Sequence, residues 1–223
     1  MQKNNIEKNI KKFLEGQSKN KGRHPDERYA SFDYCFNYFQ TFREKNKIKE
    51  LANTENIQNS CLHLAFYLAS WGMFRGSSFL LEKSSRHFIP LIKEISIFDR
   101  KIWEIDANNY TEENIKLLLE FKERISKLLG GDKKPSDILS TKIMLGVFGN
   151  VPAFDEFFKK GFGCSTFGKK SLKKISEFYQ KHKNDIDKFK IYTFNFLTGK
   201  ETKRSYTNAK IIDMVGFIGG QIK

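Results

Sequence analysis

The feature that most constrains the fold is the recurrence of apolar residues at the three- and four-residue spacing of an α-helix. Ile6, Ile10 and Phe13 begin this pattern, and Gly16 is expected to end the first helix. The segment from Tyr29 to Phe39 continues it with aromatic residues and lacks the strict alternation of a strand. The sequence therefore predicts an all-α protein, folded as a compact multi-helix globular domain.

Capping chemistry predicts the ends of the later helices. Thr111 precedes two glutamates, as at a helix N-terminus, and that helix is expected to run to Leu129. Ser136, between a proline and an aspartate, is expected to start the next helix. The last two helices are predicted at about 185–197 and 207–218.

The chain of 223 residues, 39% of them hydrophobic, is long enough to bury a core as one domain. We find no repeat, low-complexity tract or proline-rich linker, so residues 1–223 are treated as a single basic helical domain. Two helical lobes, about 1–110 and 111–223, with a cleft between them are one arrangement that fits this pattern.

The formal net charge of +14 predicts a nucleic-acid partner ahead of an anionic membrane. A solvated, lysine-rich surface without a partner is the alternative. The three cysteines form no Cys-x-x-Cys pair, so we expect no disulfide, metal or cofactor. A cytoplasmic monomer, without a secretory signal or membrane span, fits these features.

The segment Ser140–Asp155 carries the strongest functional signal. An apolar stretch runs into the loop Gly149-Asn-Val-Pro152, which delivers Asp155 to the start of an aromatic-rich helix. Free amides and the helix dipole stabilise an ionised carboxylate there. Such a carboxylate can stabilise a cationic, sugar-like transition state or activate water. The alternative is an ordinary acid at a helix N-terminus.

This segment resembles the helix-hairpin-helix DNA glycosylase superfamily over about residues 125–165. The resemblance implies an all-α basic fold in which Gly130-Gly131 lies in the hairpin and Asp155 is the catalytic aspartate. The hairpin departs from the family's Gly-x-Gly pattern. Lys134 and Lys142 do not match the spacing of the lysine found in lyase-type members. We therefore expect a monofunctional enzyme that uses water.

Two aromatic segments are candidate substrate contacts. In the loop after the third helical stretch, Trp71 is expected to stack on an extruded base or to wedge the duplex, and Arg75 to pair with a phosphate. Tyr38 and Asn37 are expected to line a base pocket. The alternatives are a helix–helix corner and an amphipathic core helix, respectively.

Phosphate contacts are expected from hydroxyls that follow Trp71 and from lysines near Asp155. The candidates are Ser77, Ser78, Lys142, Lys169, Lys170 and Lys173.

The leading hypothesis is a DNA N-glycosylase that flips out and excises a damaged or modified base, in repair or in defence against phages. Two alternatives remain open: a non-enzymatic, basic nucleic-acid-binding protein, and a helical defence or toxin factor that acts on RNA.

Overall fold

The computed structural model describes residues 3–16, 21–130 and 135–221. Within these ranges the chain is 67% helical, with nine α-helices and one small two-stranded sheet. The predicted all-α class is therefore confirmed. The hairpin residues Gly131 and Asp132, and the candidate lysine Lys134, lie outside the described residues.

The elements follow one another with several short 3₁₀ turns between them. In chain order they are α1 (Lys3–Glu15), α2 (Ser31–Glu44), α3 (Ile57–Ser70), α4 (Ile89–Ile97), α5 (Glu112–Leu129), α6 (Asp137–Phe148), α7 (Glu156–Phe162), α8 (Lys169–Ile186), β1 (Tyr192–Phe194), β2 (Glu201–Ser205) and α9 (Asn208–Gln221).

Side-chain caps define the helix starts that the sequence predicted. The Thr111 hydroxyl accepts a hydrogen bond from the amide of Asn114 at 3.2 Å, and α5 follows it. The Ser136 hydroxyl accepts from the amide of Leu139 at 3.2 Å, and α6 follows it. Each bond satisfies an amide that has no partner inside its helix.

The helix predicted at 185–197 is wrong. Helix α8 ends at Ile186, and residues 192–205 form an antiparallel hairpin of β1 and β2 in which Tyr192 pairs with Ser205. Gly199 turns the chain with φ 64°. A residue outside the hairpin helps to hold it in place. The Asn37 side-chain amide of α2 donates a hydrogen bond to the Phe194 carbonyl of β1 at 2.9 Å.

One continuous apolar core joins residues from both halves of the chain. Helix α6 packs against α2 and α3, and α9 packs against α1 and α7. Helix α6 is buried on nearly every side from Leu139 to Phe148. The centre of the fold is thus formed by α6 and α9, the helices beside the segment that ends at Asp155.

Candidate functional site

Asp155 stands where the sequence predicted, at the start of a helix. Gly149 adopts a left-handed conformation with φ 69°, which ends α6 and lets the chain turn. The carboxylate Oδ1 of Asp155 then caps α7 by accepting a hydrogen bond from the amide of Phe158 at 2.9 Å. The side chain is therefore fixed by the backbone of the helix that it opens.

The other carboxylate oxygen of Asp155 faces a buried lysine. Lys142 Nζ lies 3.5 Å from Asp155 Oδ2, although the two residues are 13 positions apart. The Lys142 side chain is 5% exposed and the Asp155 side chain 16% exposed. The predicted contact of Lys142 with a phosphate stays a prediction, and its side chain is enclosed within the fold beside Asp155. Asp155 keeps an edge towards solvent.

A second buried ion pair lies beside the first. Lys210 Nζ is 2.8 Å from Asp213 Oδ2, one turn apart on α9. Asp213 Oδ1 also accepts a hydrogen bond from the amide of Ala153 at 2.9 Å, two residues before Asp155. Asp213 thereby ties α9 to the loop that positions Asp155. We refer to Lys142, Asp155, Lys210 and Asp213 as the charged cluster.

Our sequence prediction did not include Lys210 or Asp213. The available signal was their placement in α9, where nearly all other positions are apolar or glycine. Two opposite charges three residues apart on such a helix point the same way, into a buried environment, and must pair there.

Trp71 forms an aromatic wall of the charged cluster. Its ring lies 4.9 Å from Lys142 Nζ and 5.7 Å from Lys210 Nζ, within the range of cation–π attraction. It also stacks on Tyr29 with ring centroids 5.3 Å apart. The structure thus brings Trp71 to the charged cluster through Lys142 and Lys210, and its predicted contact with a base or duplex stays a prediction.

The Trp71 indole nitrogen is buried and makes no hydrogen bond within the described residues. A buried N–H donor without an acceptor costs about 1–3 kcal/mol. The indole ring that carries this donor packs against the Lys142 and Lys210 ammonium groups of the charged cluster.

Burial shifts the pKa values of the Lys142–Asp155 pair in opposite directions. It raises the pKa of Asp155, and the like charge of Asp213 adds to this, while Lys142 and the Phe158 amide oppose it. Burial also lowers the pKa of Lys142, against the attraction of Asp155 and Asp213. Both shifts favour the neutral forms, as is common at functional sites and in buried structural ion pairs.

The rest of the predicted phosphate loop is held mainly by its own backbone. The Ser78 hydroxyl donates to the Met73 carbonyl at 2.6 Å and accepts from the Leu80 amide. The Arg75 side chain folds over Gly72, and Ser77 is exposed. Their predicted contacts with a phosphate stay predictions.

Tyr38 and Asn37 line a separate pocket of about 250 Å³, and Asp155 is not among its described walls. The Tyr38 ring stacks on His63 with centroids 4.2 Å apart. The Asn37 amide is engaged with the hairpin, since its oxygen accepts from Thr193 and Arg204. The structure therefore separates these two residues from Asp155.

Two of the three predicted lysines on α8 are ion-paired. Lys169 and Lys173 both contact the Glu112 carboxylate, each at 2.5 Å. Lys170 is exposed. Contact of these side chains with a nucleic-acid backbone stays a prediction.

No family model matches this chain, and no curated protein or solved structure matches it either. In the described ranges, no helix is long and apolar enough to cross a membrane. Nor do three or more His, Cys, Asp or Glu side chains come together there as potential metal ligands. The candidate site therefore has to be interpreted from its own geometry.

Proposed function

We propose that this protein is a monofunctional DNA N-glycosylase that excises a damaged or modified base, in DNA repair or in defence against phages. The observation that carries the proposal is the Lys142–Asp155 pair beside Trp71, in which the Asp155 side chain is the more exposed partner, at 16% against 5%. The charge of +14 supports a polyanionic substrate.

In this proposal the target nucleotide leaves the base stack, because its sugar–base bond is out of reach inside a duplex. The base lies against the partly exposed ring of Trp71. Asp155 stabilises the positive charge that develops on the sugar as the sugar–base bond breaks. The bonding electrons leave with the base, and a water molecule then bonds to the sugar and gives its proton to Asp155.

Lys142 acts through Asp155 in this scheme. Its ammonium group favours the ionised carboxylate by direct attraction at 3.5 Å. Because its side chain is only 5% exposed, it is a positioning residue and not the nucleophile. The aldehyde of an abasic site would reach the edge of Asp155 before it reached this amine.

The test is excision from DNA duplexes that carry uracil, alkylated purines, oxidised guanine or phage-type modified cytosines, with abasic sites scored by alkaline cleavage. We expect Asp155→Asn to lower the single-turnover rate by a factor of about 10²–10⁴ and to leave DNA affinity intact. Asp26→Asn makes the same chemical change on the exposed surface and should retain full activity.

Borohydride treatment during turnover separates the two possible nucleophiles. If water attacks, no covalent protein–DNA adduct is trapped. An adduct that is lost in Lys142→Arg would show that the amine attacks the sugar, contrary to the role assigned here to Lys142.

The second candidate is a DNA-binding protein without catalytic activity. It is favoured by the engagement of both Asp155 oxygens, one with the Phe158 amide and one with Lys142, as in a purely structural cap. Tight, salt-sensitive binding without abasic sites on any duplex would establish this candidate and remove the enzyme proposal.

A further inference from the structure

A basic pocket lies between the end of α7 and the start of α8. It has a volume of about 520 Å³ and is lined by the turn at 163–165 and by Lys159, Lys160, Lys170 and Lys174. We call it the α7–α8 pocket. Four ammonium groups around one concave surface repel one another, so an anion placed among them would be stabilised by all four.

The four lysines differ in what balances their charge. Lys159 Nζ contacts Glu156 at 2.6 Å, and Lys174 Nζ donates to the Gly163 carbonyl at 2.7 Å. Lys160 and Lys170 are exposed, and neither forms an ion pair within the described residues. This contrasts with Lys169 and Lys173, which share Glu112 just outside the pocket.

A glycine shapes the turn that lines the pocket. Gly163 ends α7 with φ 68°, a conformation that side chains rarely adopt. A Cβ there would also meet Lys174 Nζ at 3.2 Å, so a larger residue would disturb the lysine that donates to the Gly163 carbonyl.

Helix α7 sets the distance between this pocket and Asp155. Asp155 caps its N-terminus and Gly163 follows its C-terminus, with seven helical residues between them. At 1.5 Å per residue, Asp155 and Gly163 are therefore roughly 12 Å apart. This is about three to four steps of rise along the axis of a DNA duplex, at 3.4 Å each.

We propose that the α7–α8 pocket binds a backbone phosphate of the same nucleic-acid strand whose nucleotide lies at Asp155, with Lys160 and Lys170 as its main contacts. The identity of the ligand as DNA rests on the function proposed above. The pocket contributes binding affinity and fixes the position of the strand relative to Asp155, and it takes no part in the excision reaction.

The experiment compares two double variants with the same loss of charge. Lys160→Gln/Lys170→Gln removes the unpaired lysines of the pocket. The control, Lys45→Gln/Lys49→Gln, removes exposed lysines that follow α2. Fluorescence anisotropy with a labelled duplex that contains a tetrahydrofuran abasic-site analogue gives Kd between 50 and 300 mM salt.

Each phosphate contact contributes about 0.9 to the slope of log affinity against log salt. We expect the Lys160/Lys170 variant to lose roughly one such contact, and its slope to fall by about 1, while the control variant keeps the slope of the wild type. An unchanged slope in the Lys160/Lys170 variant, or an equal fall in both variants, would overturn the proposal. Thermal unfolding by circular dichroism confirms that each variant is folded.

The two proposals fail in different ways. If the wild type makes no abasic sites but the Lys160/Lys170 slope falls, the pocket stands and the glycosylase does not. If Asp155→Asn abolishes excision and the Lys160/Lys170 slope is unchanged, the enzyme stands and the pocket does not.

Discussion

At the scale of single residues, the site depends on whether Asp155 is ionised. Burial raises its pKa, and the neighbouring Asp213 raises it further; Lys142 and the Phe158 amide act in the other direction without cancelling the shift. A carboxylate that stabilises a cation must be charged. We therefore expect the excision rate to rise with pH, with a midpoint above the ordinary pKa of an aspartate. We call this rise the acid limb of the pH profile.

This balance predicts the effect of removing the lysine charge. In Lys142→Met the attraction that favours the ionised carboxylate is lost, so the pKa of Asp155 rises further and the acid limb moves to higher pH. Single-turnover excision rates between pH 4.5 and 9 measure the midpoint. Lys142→Arg keeps the positive charge and should keep the midpoint near that of the wild type. If Lys142→Met lowers the rate equally at every pH, the role assigned to Lys142 is wrong.

A second buried carboxylate, Asp33, has a structural role. It accepts hydrogen bonds from the Arg23 guanidinium, at 2.7 and 3.1 Å, from the Phe194 amide at 2.9 Å, and from the Tyr206 hydroxyl. Asp33→Ala would leave the charge of Arg23 buried without its partner. Breaking such a pair costs about 3–5 kcal/mol. We expect a melting temperature lower by about 6–20 °C in calorimetry. Asp26→Asn, at the surface, should change it little.

At the scale of elements, α7 and α9 approach closely because glycines line their contact. A Cβ on Gly161 would overlap the Gly216 carbonyl, and one on Gly220 would overlap the Phe157 carbonyl. A Cβ on Gly216 would lie 2.5 Å from the Phe158 ring. Since α7 begins at Asp155 and α9 carries Asp213, this contact sets the spacing of the charged cluster.

Gly220→Ala tests this contact, because helix propensity and overpacking predict opposite effects of the substitution on stability. Inside a free helix the change would stabilise by about 1 kcal/mol. Here the added methyl must separate α7 from α9, and such overpacking costs about 1–3 kcal/mol. We expect a melting temperature lower by about 3–10 °C and a loss of excision activity. Gly168→Ser adds a side chain into open space and should leave both unchanged. Unaltered stability in Gly220→Ala would contradict the close approach.

The elements also show how far the sequence could be interpreted. Local chemistry sufficed where it decides the structure: Thr111 and Ser136 cap helices, and Gly149 turns the chain before Asp155. The hairpin was missed because its stability depends on distant partners such as Asn37. The contact of Lys142 with Asp155 was missed for the same reason, since the packing of α6 against its neighbours decides which charges meet. Local sequence spacing indicates neither the contact of Asn37 with the hairpin nor the contact of Lys142 with Asp155.

At the scale of the whole molecule, α1 and α9, the first and last helices of the described residues, are packed together. The Asn9 side-chain amide of α1 donates to the Val215 carbonyl of α9 at 3.0 Å, and Phe13 meets Phe217 edge-on with centroids 6.3 Å apart. Helix α9 in turn carries Lys210 and Asp213 of the charged cluster. The site at the centre of the fold thus depends on contacts between the first and the last helix.

The packing of α1 against α9 predicts a single cooperative unfolding transition. Ile10 is fully buried, and truncation of a buried isoleucine to alanine costs about 2–5 kcal/mol. For a domain of this size we expect Ile10→Ala to lower the melting temperature by about 4–20 °C. Far-ultraviolet circular dichroism follows all helices, and tryptophan fluorescence follows Trp71 beside the charged cluster and Trp103 in the core. Both signals should shift together, because α1 cannot detach without exposing α9 and the cluster that it carries. Two separate transitions, with tryptophan fluorescence unchanged in the first, would show that α1 is an independent unit and that the site does not depend on it.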